Sequence, residues 1–254
     1  MQQIATTLDA VCLAAQIILE NGGETYRAEE TVERMCRGLA IPHVDVFALP
    51  TGLMLTLTTE DDASISRIVR VRERSINLAR IDRCNAISRQ VAQGQLSAQD
   101  ALERLTEIRS APLPHPLLLL LASCAAAGAF SIMLGGQWLD GGVAFVCGAL
   151  TQLVTPALGR RRVPALVSGL IAAALATLLT LLIGLFLPGL HIEPILSGTI
   201  MPLLPGLATT NAVRDTMRGD LVSGGARIIE AILCAITLAA GIGIVLSIWG
   251  GLGL

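Results

Sequence analysis

The sequence predicts two units in series: an α+β domain of order ααβββαα over residues 1–112, then an all-α membrane domain of five transmembrane helices over residues 113–254. Three observations predict this. Charge is unevenly divided, with 12 Arg and 15 acids in residues 1–115 against six Arg and five acids in the rest. The apolar period changes from helical to alternating and back within the first half. The second half holds five apolar runs, set against the ~20 residues needed to cross a hydrocarbon core of ~30 Å.

The elements follow in order. Apolar residues at 4, 8, 11, 15, 18 and 19 give a first helix over 3–21, ended by Asn21-Gly22-Gly23. Thr25 is the expected N-cap of a second helix running to Gly38, with Glu29 and Glu30 in its first turns. The cluster Glu24, Tyr26, Arg27, Glu29 and Glu30 reads as a solvated first turn, or as a ligand site. Three β-like runs come next, at 44–48, 53–59 and 65–71, the second alternating with period two. Helices at 79–93 and 97–109 close the domain, the latter capped by Ser97 with Asp100 three residues on.

Composition excludes several classes. The net charge of −2 gives no case for nucleic acid, and every base is Arg. The six cysteines form no CxxC pair and read as reduced structural thiols. No Ser/His/Asp arrangement, phosphate-cradling Gly loop or metal cluster is present, so no cofactor or metal is expected. The first residues lack the basic start and small-residue cleavage site of a signal peptide. The arginines between 67 and 83 form a basic run, either a solvated face or one that meets anionic groups.

Pro112-Leu-Pro-His-Pro116 reads as a stiff linker. The five expected spans cover about 117–134, 139–157, 164–187, 194–210 and 225–249. Arginines occupy the connections at 159–162 and 211–218 and are missing from 135–140 and 188–193. The Arg-rich loops and the N-terminal domain are therefore expected in the cytoplasm, with the C-terminus outside.

The stretch Met201–Glu230 stands apart. Pro202, Pro205 and Gly206 make a continuous helix across 200–206 unfavourable. Secondary transporters hold ions and carboxylates at such half-helix ends, although a kink can also serve packing alone. Asn211 and Asp215, four apart, share one helical face. Asp215 can accept a proton, as can Asp220, or it can pair with Arg214, Arg218 or Arg227. Arg227 and Glu230 are spaced for an internal salt bridge. The expected substrate or proton pathway is thus Pro205, Gly206, Asn211, Asp215, Asp220, Arg227 and Glu230.

The pattern Pro205-Gly206, Asn211-Ala212-Val213, Asp215, Gly219-Asp220, Gly224 and Ala226-Arg227 resembles the signature of the threonine/serine exporter family. It is most similar to the larger subunit of that family's split, two-component members, some of which export succinate. Glu24-Thr25, Leu57-Thr58-Thr59, and Arg74 with Asn77 also resemble the family's cytoplasmic domain, which makes Glu24, Arg74 and Asn77 a possible second site. The resemblance implies an inner-membrane exporter subunit for a small carboxylate: threonine, serine or succinate. It also implies proton coupling and a separate small multi-span membrane partner in a hetero-oligomer. Two other expectations stay open at this point: a membrane-anchored metabolite sensor or scaffold, and a membrane-bound hydrolase with a cytoplasmic catalytic domain.

Overall fold

The computed structural model describes residues 2–60 and 63–252. Its contacts divide the chain into two compact units, Met1–Pro112 with Leu207–Ile229, and Leu113–Gly206 with Glu230–Leu254. Residues 207–229, expected with the membrane domain, group with the first 112. A run of polar bonds described below joins them to residues 22–25.

The first unit contains α1 (Gln2–Glu20), α2 (Thr25–Gly38), β1 (His43–Leu49), β2 (Gly52–Thr58), β3 (Ser64–Arg70), α3 (Leu78–Ala92) and α4 (Ala98–Ser110). The strands form one antiparallel sheet in the order β1-β2-β3. Alternation on β2 decides which face is covered. Leu53, Leu55 and Leu57 are buried, while Met54 points away. Their buried face meets α1, whose Leu8, Val11 and Ile18 are almost wholly enclosed, together with Met35 of α2 and Leu105 of α4. Ser97 and Asp100 form the expected capping box on α4. Thr25 is not the cap of α2. Glu24 takes that position, and its side chain makes no capping bond. The unit is completed by α9 (Gly206–Met217) and the first turns of α10 (Leu221–Gly251).

The second unit is built from α5 (Pro116–Met133), α6 (Trp138–Arg160), α7 (Ala165–Phe186), α8 (Ile192–Ile200) and the rest of α10. Among the described residues four helices, α5, α6, α7 and α10, are long and apolar enough to cross a membrane. The fourth expected span is not one helix. Here α8 runs nine residues and tightens into a 3-10 turn at Met201–Leu203, and α9 starts afresh at Gly206. Pro202 and Pro205 each lack the N–H that would continue the ladder, so the break falls where the sequence placed it.

Small residues let these helices touch. A Cβ on Gly198 of α8 would come 2.5 Å from both the Ala127 carbonyl oxygen and the Ser131 nitrogen of α5. Gly128 and Gly148 serve the α5–α6 contact in the same way. Val143, Ala144, Cys147, Ala176 and Ile195 form the core between α6, α7 and α8. One carboxylate, Asp140, is enclosed in this unit. It accepts from the Gln137 and His191 backbone N–H groups, and from the His191 ring, joining the start of α6 to the start of α8. The six cysteines are free, and five of them are buried.

Candidate functional site

The site is built on the connection between α1 and α2. Gly22 has φ +88°, a left-handed conformation that favours glycine. A Cβ on Gly23 would lie 2.9 Å from the Ile18 carbonyl oxygen. Two glycines therefore let the chain reverse tightly and leave their own carbonyls available as acceptors.

Five successive residues of this turn each hold one residue of the α9–α10 hairpin. The Gly22 carbonyl accepts from Asn211 Nδ2 at 2.8 Å. The Gly23 carbonyl accepts from Arg227 Nη2 at 2.8 Å. Glu24 Oε1 accepts from Arg214 Nη1 at 2.6 Å. Thr25 Oγ1 donates to Asp220 Oδ2 at 2.8 Å. The Tyr26 ring lies under the Arg218 guanidinium, 4.7 Å from its centre. Asn211, Arg214 and Asp215 of α9, with Arg218 just past its end, recur at three- and four-residue steps, so α9 and its C-terminal turn present a single face to the site. The hairpin is closed by Gly219, at φ +89°, and by the Asp220 N–H, which donates to the Asp215 carbonyl at 2.9 Å.

Behind this row lies a buried ion pair. Asp215 Oδ2 is 3.2 Å from Arg227 Nε, with side chains 0% and 6% exposed. Neither Asp215 oxygen has a well-aligned hydrogen bond. Burial raises the Asp215 pKa. The Arg227 charge and the neighbouring Thr25 hydroxyl and N–H oppose the rise without cancelling it, and Asp220 adds to it. Glu24 behaves the other way. Burial again pushes its pKa up, but its own N–H and the charges of Arg214 and Arg27 outweigh that, and the result is a lowered value. Arg27 Nη1 stands 3.5 Å from Glu24 Oε2.

The structure brings together Glu24, Asn211, Asp215, Asp220 and Arg227 of the expected site residues. Arg74 is an exposed residue between β3 and α3. Asn77 is the N-cap of α3, its side chain accepting from the Arg80 N–H, and its own N–H donates to the Asn21 carbonyl. Pro205 and Gly206 form the break that leads into α9. Glu230 is exposed on α10 and falls in the second unit. One reading needs correction. Glu24 is 4% exposed and is not part of a solvated first turn. Among the three arginines expected for Asp215, the structure selects Arg227, while Arg214 takes Glu24. The backbone carbonyls of Gly22 and Gly23 had no signal beyond the paired glycines themselves.

A family model described as a threonine/serine exporter matches residues 9–249. The chain belongs to the threonine/serine exporter family. Over 98% of its length it is 27% identical to the probable succinate transporter subunit YjjP of Klebsiella aerogenes, covering 95% of that protein. It is 25% identical to the Escherichia coli protein of the same name, again over 98% of its length. It is 24% identical over 95% of its length to the threonine/serine exporter of Corynebacterium glutamicum, of which it spans 51%. No solved structure matches it. Exporter-family membership and four long apolar helices make this a membrane protein. The family and these relatives are transporters, so the hydrolase reading falls away.

Proposed function

We propose that this chain is the larger subunit of an inner-membrane exporter of small carboxylates. Its cargo is a hydroxy amino acid such as threonine or serine, or a dicarboxylate such as succinate. Proton motive force drives it, and a second, small multi-span membrane protein completes it. The observation that carries this reading is the buried Asp215–Arg227 pair, set in a helical hairpin that directly follows a broken apolar segment in an exporter-family chain. The relatives matched along nearly their whole length are named subunits, whereas the one about twice as long is named an exporter outright. That contrast supports a partner in a separate chain.

Five crossings are supported by parity. Residues 1–112 and 207–229 form one compact unit and so share one side of the bilayer. Three long apolar helices, α5, α6 and α7, lie between them in sequence, and three crossings leave the chain on the far side. The return falls to α8 and its 3-10 turn. With the extended residues up to Pro205 this segment reaches about 26 Å, close to the ~30 Å core. Arginines at 160–162, 214 and 218 favour the cytoplasm for the first unit, which puts the end of α10 outside.

In this reading Asp215 is the proton acceptor. Its carboxylate is buried, incompletely hydrogen-bonded and raised in pKa. The cargo carboxylate meets N–H groups at the start of α9, or an arginine of the hairpin. Reconstitution with the partner in vesicles, followed by counterflow of labelled threonine and succinate, tests the assignment; no flux of either sinks it. Normal export by Asp215→Asn across a pH gradient removes Asp215 from the coupling role.

A further inference from the structure

We propose that Asn211, Arg214 and Arg227 form a seat for the oxygens of a small carboxylate, and that the α1–α2 turn occupies this seat in the closed protein with Glu24 in the place of the cargo's carboxylate. The inference rests on the exporter reading for the identity of the ligand, but its geometry is independent of it.

Three observations carry it. The first is the chemistry of the contact. Gly22, Gly23 and Glu24 each contribute one oxygen, and each oxygen accepts from a side-chain nitrogen: Asn211 Nδ2, Arg227 Nη2 and Arg214 Nη1. Three acceptors on three donors, two of them cationic, is the pattern by which proteins bind oxyanions. A dicarboxylate, or a carboxylate with a nearby hydroxyl, presents the same kind of acceptor set.

The second is the misuse of a helix cap. Glu24 holds the N-cap position of α2, yet its side chain makes no bond to the first turn of that helix. Its carboxylate is turned to Arg214 instead, with Arg27 alongside. A residue selected only to start α2 would be Ser, Thr, Asp or Asn.

The third is access. Asn211 and Arg227 are buried, at 3% and 5% exposure. The Arg214 side chain is 61% exposed although the carboxylate on it is covered. The Glu24 bond uses one nitrogen of a guanidinium that offers five N–H donors. A carboxylate from solution can therefore meet Arg214 first, displace Glu24, and gain Asn211 and Arg227 as the turn withdraws. The bonds from Asn211, Arg227 and Arg214 are remade to the cargo, while the Thr25–Asp220 bond and the Tyr26–Arg218 contact are given up to water. For the three seat donors the exchange needs little net free energy, because each passes from one acceptor to another and none is left bare.

The test is binding to the full-length chain in detergent, read as a ligand-induced shift in melting temperature for succinate, threonine and serine. Glu24→Gln keeps the shape and removes the competing charge. It is expected to tighten the dissociation constant of the preferred carboxylate by about fivefold, the scale of one partly exposed ion pair. Arg214→Gln, alone or with Glu24→Gln, is expected to lose the shift. Binding by Glu24→Gln that is no tighter than wild type overturns the proposal, as does an undiminished shift in Arg214→Gln or no shift with any of the three. A second measurement covers the case in which the Glu24 variant misfolds. Tyr26→Cys with Arg218→Cys, joined by a reversible thiol cross-linker, is expected to lose the ligand shift and to regain it on reduction. Retained binding while cross-linked overturns the seat. Tight binding without counterflow in vesicles leaves the seat standing and refutes the exporter reading instead.

Discussion

The two helices on either side of Pro205 are held by opposite means. On one side α8 is fixed by the absence of side chain: Gly198 lies against the backbone of α5 with no room for a methyl group. On the other side α9 is fixed by side chains, through Asn211, Arg214 and Asp215, with Arg218 just past its end. Packing of the first kind has one arrangement, since interiors are dense and do not deform continuously. Polar bonds of the second kind can be exchanged for others of equal strength. The break at Pro205 thus separates a helix fixed by backbone packing from one held by exchangeable polar bonds.

The comparison can be broken at several points. The largest effect is expected from Asp215→Ala, which strands the Arg227 charge in a buried site. A loss of about 3–5 kcal/mol of stability is expected, with much of it recovered in the Asp215→Ala/Arg227→Ala double variant. Chemical or thermal unfolding of the purified chain measures both. A cost below ~1 kcal/mol would mean that α9 is not latched through this pair. Gly198→Ala comes next. Its Cβ meets backbone, which cannot rotate away, so a loss of about 1–3 kcal/mol is expected. The control is Gly243→Ala on α10, where nothing lies within 4 Å and the change should be neutral or slightly stabilising. Equal behaviour of the two alanines would remove the claim that α8 is fixed by close approach.

Asn211→Ala should cost about 1 kcal/mol, the worth of one ordinary bond, here to the Gly22 carbonyl. The smallest effect is in pH. The folded-state pKa of Glu24 is lowered from its ordinary 4.5, so its contribution is fully present above that value and is lost as pH falls through the folded value. Melting curves taken from neutral pH down to acid should show wild type losing stability below about 4.5 relative to Glu24→Gln. Asp215 works in the reverse sense. Its raised pKa makes it a group whose contribution declines as pH rises from its ordinary value through the folded one. Asp215→Asn should remove that decline.

What the sequence disclosed was local. The Ser97–Asp100 box, the alternation of Leu53, Leu55 and Leu57, and the interruption at Pro202 and Pro205 all depend on residues within one or two turns of each other. Each appears in the structure where spacing placed it. The shared face of Asn211 and Asp215 was legible for the same reason. The partners were not. Asn211 meets Gly22 across 189 residues and Arg227 meets Gly23 across 204, distances at which no periodicity survives. The ownership of α9 was hidden as well. An apolar segment leading into it reads as one span, whereas its contacts group Leu207–Ile229 with the first 112 residues. Glu24 looked solvated because acids are at home at the start of a helix. Only its long-range arginine partner shows otherwise.

The grips of the α1–α2 turn fall on five successive residues, 22 through 26, with no spare position between them. A comb of that kind tolerates substitution one tooth at a time but not a change of length. Inserting a single residue after Gly23 would move Glu24, Thr25 and Tyr26 out of step with Arg214, Asp220 and Arg218 together. Surface connections usually accept insertions readily. This one should be the loop of the first unit whose length cannot drift, even where its residues do.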